Sequence, residues 1–156
     1  MARRVARNDR RSRAGGTAVN ATPYTSELEL AAQADAVRWG RRHTRDVLSA
    51  WRLPDDRIDD AQLAVSELVT NAVRCVGNAS LDAVPPRIRL TLHKEPHRLL
   101  IWVADPDPRP PVLNASPAAG AENGRGLLIL ERITKEWSYY FVPTGGKVVW
   151  CSIGLG

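Results

Sequence analysis

The stretch "RLLIWVAD", residues 98–105, constrains this chain more than any other. It is apolar on both faces, which suits a strand covered from both sides in the middle of a sheet. The stretch before it, "RIRLTLHK" at 87–94, alternates with period 2. Ile88, Leu90 and Leu92 turn inward, and Arg87, Arg89, Thr91 and His93 turn outward. "EPH" between the two is short enough for a hairpin turn.

A sheet of this kind needs helices on its apolar face, and the sequence supplies them. Over 57–76, Ala61, Val65, Leu68, Ala72 and Val76 repeat at three and four residues, the stripe of a core-facing helix. Over 31–51 the spacing of Ala34, Val37, Arg41 and Leu48 predicts another helix, weakened by Gly40. "LPDD" separates the two: Pro54 restricts Leu53, and Asp55 or Asp56 can cap the helix over 57–76. Residues 23–30, "PYTSELEL", end in alternation and predict a short edge strand. After a proline-rich loop at 106–123, "GRGLLILERITKEW" opens a helix at a glycine-rich turn. "WSYYFV", "TGG" and "KVVWCSI" then close the chain as a second hairpin. The predicted fold is α+β: a two-layer sandwich of a mostly antiparallel mixed sheet with helices on one face.

Charge is unevenly placed. Of 22 basic and 17 acidic residues, residues 1–22 hold six arginines and one aspartate, so the remainder carries 16 of each and is neutral. The +5 net charge therefore belongs to the tail and gives no sign of a nucleic-acid-binding domain. We expect a disordered Arg-rich tail over 1–22, with almost nothing apolar to bury, and one domain over 23–156. No apolar run reaches membrane-spanning length, and no apolar segment follows the early arginines as a secretory signal requires. Cys75 and Cys151 lie inside apolar patterns, as small buried residues of a reducing compartment do, so a cytoplasmic protein is expected.

Three polar clusters interrupt the apolar pattern. Glu67 and Asn71, in "SELVTNAV", are four residues apart and share one face of the predicted helix. A carboxylate there can act as a general base and an amide oxygen can ligate a hard cation, or the pair can simply face water. Asp105 ends the apolar strand, where it can accept from an exocyclic amine or merely start a turn before Pro106. In "NGRGLLIL", Gly124 and Gly126 let the backbone approach a ligand, the following helix offers unpaired N–H groups to phosphate, and Arg125 adds charge.

Taken in order, these clusters resemble the GHKL ATPase superfamily, which has the Bergerat ATP-binding fold. The nearest resemblance is to its bacterial branch of anti-sigma-factor serine kinases and histidine-kinase-like ATP-binding regulators. "LAVSELVTNAV" is similar to that branch's N box, "VADPDPRPP" occupies the first glycine box, "GRGLLILERITKEW" the second, and "GGKVVW" the closing strand. The resemblance covers 25–154. It implies that Glu67 polarises the attacking hydroxyl and that Asn71 binds Mg²⁺ bridging the phosphates of ATP. It implies that Asp105 reads the adenine amine, and that Arg109, Gly124, Arg125, Gly126, Leu127 and Lys147 contact the nucleotide. Arg125 or Lys147 could offset phosphate charge. The chain departs from the family pattern at three points: it has no glycine in Asp105-Pro106-Asp107-Pro108, Cys75 where close members often have His, and Lys147-Val148 where many have a Thr.

The resemblance implies a protein serine/threonine kinase that phosphorylates an anti-sigma-factor antagonist of the STAS type and sequesters a sigma factor, with homodimer formation left open. The alternative is a nonenzymatic switch on the same fold. A nucleic-acid-associated protein acting through the Arg tail ranks below both.

Overall fold

The computed structural model describes residues 24–77, 84–111 and 126–156. The strands β1 (Tyr24–Ala31), β2 (Arg87–Lys94), β3 (Arg98–Asp105), β4 (Glu136–Phe141) and β5 (Lys147–Gly154) form one sheet in the order β1-β2-β3-β5-β4. The helices are α1 (Ala36–Ala50), α2 (Asp55–Gly77) and α3 (Gly126–Ile133). All four strand pairings are antiparallel, with no parallel pair among the described strands; β3 is the central strand and β1 an edge, as their patterns predicted.

The register explains the core. Leu92, Ile101 and Cys151 stand in one row across three strands, and Leu90, Val103 and Val149 in the next. All six are almost fully buried. The predicted α2 stripe, Ala61, Val65, Leu68, Ala72 and Val76, is buried in the same cluster. α2 lies against β2, β3 and β5, while α1 packs on α2 and β1. Burial of this stripe rather than helix propensity holds α2 in place. At its start, the Pro54 carbonyl accepts from the Arg57 and Ile58 amides at 3.0 Å, and the Asp56 carboxylate accepts from the Arg57 amide at 2.9 Å.

Two boundaries differ from the sequence reading. α1 starts at Ala36, not near Ala31, because β1 runs through Ala31 and the Ala32 amide donates to the Pro86 carbonyl at 2.8 Å. Strand pairing takes the residues that a helix would otherwise use. The buried α1 stripe is accordingly Ala36, Gly40, Thr44 and Leu48. Gly40 is the contact point: a Cβ there would stand 3.3 Å from Val65 Cγ1 and 3.7 Å from Leu90 Cδ2. Arg41 instead clasps α2, donating to Ser66 Oγ at 2.7 Å and to the Gln62 carbonyl at 3.3 Å. The second difference is α3, which ends at Ile133. The Lys135 amide already donates to the Ser152 carbonyl at 2.9 Å, so pairing with β5 ends the helix before "KEW".

Candidate functional site

Period 2 along β3 puts Asp105 on the same face as Leu99, Ile101 and Val103, under the helices. The β3–β5 register sets Lys147 directly opposite. Its ammonium lies 3.0 Å from Asp105 Oδ1, and both side chains are fully buried. Asp105 Oδ1 also accepts from the Asp107 amide at 2.9 Å. Oδ2 is buried and finds no partner among the described residues. Burial pushes the Asp105 carboxyl above the usual range, and the hydrogen bond from Lys147 opposes that push.

The hairpin turn before β5 makes this approach possible. Gly145 and Gly146 have φ of +112° and +83°. A Cβ on Gly146 would fall 2.2 Å from the Asp105 carbonyl oxygen and 2.9 Å from Pro106 Cα. Only glycine lets the turn lie this close to the end of β3.

Beyond Asp105 the chain is tied to α2. Arg109 grips Asp107 with two prongs: Nε lies 3.0 and 3.1 Å from its carboxylate oxygens and Nη2 2.6 Å from Oδ2. The guanidinium holds the Asp107 carboxyl at about 2. Arg109 Nη2 also donates to the Cys75 carbonyl at 2.9 Å. The Lys147 ammonium reaches the Asp107 carbonyl at 3.3 Å. Lys147, Asp105, Asp107, Arg109 and Cys75 thus form one connected set of polar contacts. It ends at Asn71, whose Oδ1 lies 3.9 Å from Cys75 Sγ.

Asn71 is buried, and its Nδ2 has no partner among the described residues. The two ends of a carboxamide are alike in shape. Turned over, the amide would give its N–H to the Cys75 sulfur and leave Oδ1 as the unpartnered atom. An unpartnered amide oxygen one helical turn from the Glu67 carboxylate fits a Mg²⁺ that takes most of its ligands from phosphate and water. Among the described residues no three His, Cys, Asp or Glu side chains could form a self-contained metal site. Glu67 stands one turn before Asn71 and is half-buried. Burial raises its carboxyl above the ordinary value, and the Arg74 charge pulls it partly back.

Gly126 is the first residue of α3 and Leu127 the second, and α3 packs on α2. Gly124, Arg125 and residues 112–123 of the proline-rich loop lie outside the described residues. The structure thus joins Asn71, Asp105, Arg109 and Lys147 in one polar chain. Two of the residues expected at the nucleotide are already engaged by neighbours within the fold. Lys147 is fully buried and donates to Asp105 and to the Asp107 carbonyl, so its charge is paired inside the fold. Arg109 uses Nε and Nη2 on Asp107 and the Cys75 carbonyl, while the side chain is largely exposed. Asp107 and Gly146 were missed as site residues. The paired glycines of "TGG" were the only signal for the second, and they look like any turn.

A separate cavity of about 480 Å³ lies between β1 and α1, lined by Leu28, Leu30, Ala36, Trp39 and His43 among others. None of the polar chain lines it. No helix among the described residues is long and apolar enough to cross a membrane.

The family model of the histidine kinase-like ATPase domain matches residues 30–153, which take in β2 to β4, nearly all of β5, all three helices and the whole polar chain. No curated protein matches the chain. With the model matching most of its length and the α+β sandwich carrying an acid–amide pair on α2 and a buried Asp at the end of β3, the chain belongs to the histidine kinase-like ATPase domains of the GHKL superfamily.

Proposed function

We propose that the protein is a Mg-ATP-dependent serine/threonine kinase that phosphorylates an anti-sigma-factor antagonist of the STAS type and otherwise holds a sigma factor. Family membership supports ATP binding. The observation that carries the assignment of the site is the pair of orphaned buried polar atoms, Asp105 Oδ2 and Asn71 Nδ2, at the two ends of one polar chain. A buried polar atom without a partner costs about 1–3 kcal/mol; a ligand donor can recover it at Asp105 Oδ2, and a cation at the Asn71 oxygen once the amide is turned over. Bound Mg-ATP would supply the phosphoryl group and the charge neutralisation for its transfer. Asp105 Oδ2 accepts from the exocyclic amine of the base, Asn71 ligates the metal, and Glu67 takes the proton of the attacking serine. The amino end of α3, starting at Gly126, would offer its first-turn amides to phosphate. Gly124, Arg125 and Leu127 belong to the same phosphate segment.

Calorimetric titration with ATP and GTP, each with Mg²⁺, tests the base-reading role. Asp105 accepts from an amine and repels a carbonyl oxygen, so ATP is expected to bind tighter by about 1–3 kcal/mol. Equal affinities would remove Asp105 from base recognition.

Asn71→Ala tests the metal. The variant is expected to fold, since alanine is a better helix former than asparagine, and to lose the gain in ATP affinity that Mg²⁺ gives the parent. Calorimetry with and without Mg²⁺ reads this directly, and an unchanged Mg²⁺ effect would reject Asn71 as ligand.

A further inference from the structure

A fully buried lysine is rare, and here it stands directly behind the carboxylate that the proposed function assigns to base recognition. Asp105 Oδ1 already accepts two hydrogen bonds, from Lys147 at 3.0 Å and from the Asp107 amide at 2.9 Å. Only Oδ2 is left. What Oδ2 can recognise depends on whether it carries a proton. As a carboxylate oxygen it can only accept; as a hydroxyl it can donate.

We propose that Lys147 is a positioning residue that keeps Asp105 a pure hydrogen-bond acceptor, so that the site takes an amino-bearing purine and rejects one with a carbonyl oxygen in the same place. This deepens the nucleotide reading given above and rests on it. The fixed β3–β5 register places the ammonium opposite Asp105. The close approach of the Gly146 turn holds the two strand ends together. The ammonium also reaches the Asp107 carbonyl, so its position is fixed from two sides.

The other charges near Asp105 do not substitute for it. Asp107 follows in the same segment and is negative, and Arg109 bonds Asp107 and the Cys75 carbonyl rather than Asp105. From α2, the helix packed on β3, come the neutral Asn71 and Cys75, with Glu67 and Arg74 on the flanking turns. Without Lys147, burial and the Asp107 charge would both push the Asp105 carboxyl upward, with only the Asp107 amide opposing them. The carboxyl would take up a proton on Oδ2 and become a donor, suited to the carbonyl oxygen of hypoxanthine.

The test compares ATP with ITP, whose base carries a carbonyl oxygen in place of the amine. Calorimetry on the parent and on Lys147→Met between about pH 6 and pH 8.5 gives the ratio of affinities. The parent is expected to prefer ATP by about tenfold or more, at a ratio flat with pH. In Lys147→Met the ratio is expected to fall by about tenfold near pH 6 and to recover as the pH rises. The Asp105 carboxyl carbon, followed by NMR without nucleotide, is expected to titrate in this window in the variant and not in the parent. A Lys147→Met protein that keeps the parent ratio at every pH overturns the role of Lys147 and leaves the nucleotide reading standing. A parent that binds neither nucleotide overturns both. If Lys147→Met does not fold, Lys147→Gln serves for the same comparison. The parent also decides alone: an Asp105 carboxyl that titrates there in this window overturns the proposal.

Discussion

Glu67→Gln is expected to lower phosphoryl transfer to a serine of the antagonist by about 10²–10⁴-fold, the usual worth of a positioned general base. ATP binding should be unchanged, because the Asn71 and Asp105 contacts do not involve Glu67. The substitution keeps the shape of the side chain and removes only its ability to take a proton. Glu67 is half-buried and its carboxyl is raised, so it is a stronger base than a freely exposed glutamate. The same shift gives a sign for stability. A carboxyl with a raised folded value binds protons more tightly when folded, so its ionisation weakens the fold as pH rises past the unfolded value. Glutamine has no charge to bury, so the variant should melt no lower than the parent at neutral pH. Loss of transfer is thereby separated from loss of fold. The assay is γ-labelled ATP with candidate antagonists, parent against variant. Transfer by the parent alone supports the kinase, transfer by neither with both binding ATP favours the nonenzymatic switch, and equal transfer by both removes Glu67 from the mechanism.

Gly146→Ala is expected to be the most damaging single-atom-group change in the described site. Its φ of +83° already costs a residue with a Cβ about 1–2 kcal/mol. The Cβ would also fall 2.2 Å from the Asp105 carbonyl oxygen, a contact with backbone that no rotamer change relieves. The turn or the end of β3 must move. We expect a loss of about 3 kcal/mol or more, which for a domain of this size lowers the melting temperature by roughly 6–12 °C. The displacement would part Lys147 from Asp105, so the preference for ATP over GTP should fall as well. Gly145→Ala is the control. Its φ is +112°, but a Cβ there meets nothing within 4 Å, so it carries backbone strain alone. Equal melting temperatures for the two variants would show that the close approach to Asp105 is unimportant.

Much of this arrangement could be read from the sequence. Period 2 in "RIRLTLHK" and the two apolar faces of "RLLIWVAD" gave β2 and the central strand β3 with their observed bounds. The stripe from Ala61 to Val76 gave α2 and placed Glu67 and Asn71 on one side of it. These readings succeed because periodicity is local: each residue's facing is set by its neighbours in the chain. The order of elements then followed, and so did the α+β sandwich. Gly40 was different. It read as a weakness in α1, and whether a glycine weakens a helix or admits another helix depends on the partner, here Val65 and Val69. The start of α1 failed likewise, because Ala32 bonds to Pro86, far along the chain.

The polar chain shows the limit most clearly. The sequence marked Asp105 and Lys147 as candidates, but the two are 42 residues apart, and nothing local says that they meet. The β3–β5 register decides that, since slipping it by one residue would turn Lys147 to the other face of the sheet. Arg109 was expected only as a nucleotide contact, and the fold brings the Cys75 carbonyl to it across 34 residues. Sequence alone determined which residues carry chemistry and which face of each element they occupy. Tertiary structure alone decided which of their charges are already neutralised by one another, because a buried charge is governed by what the fold sets within a few ångströms of it.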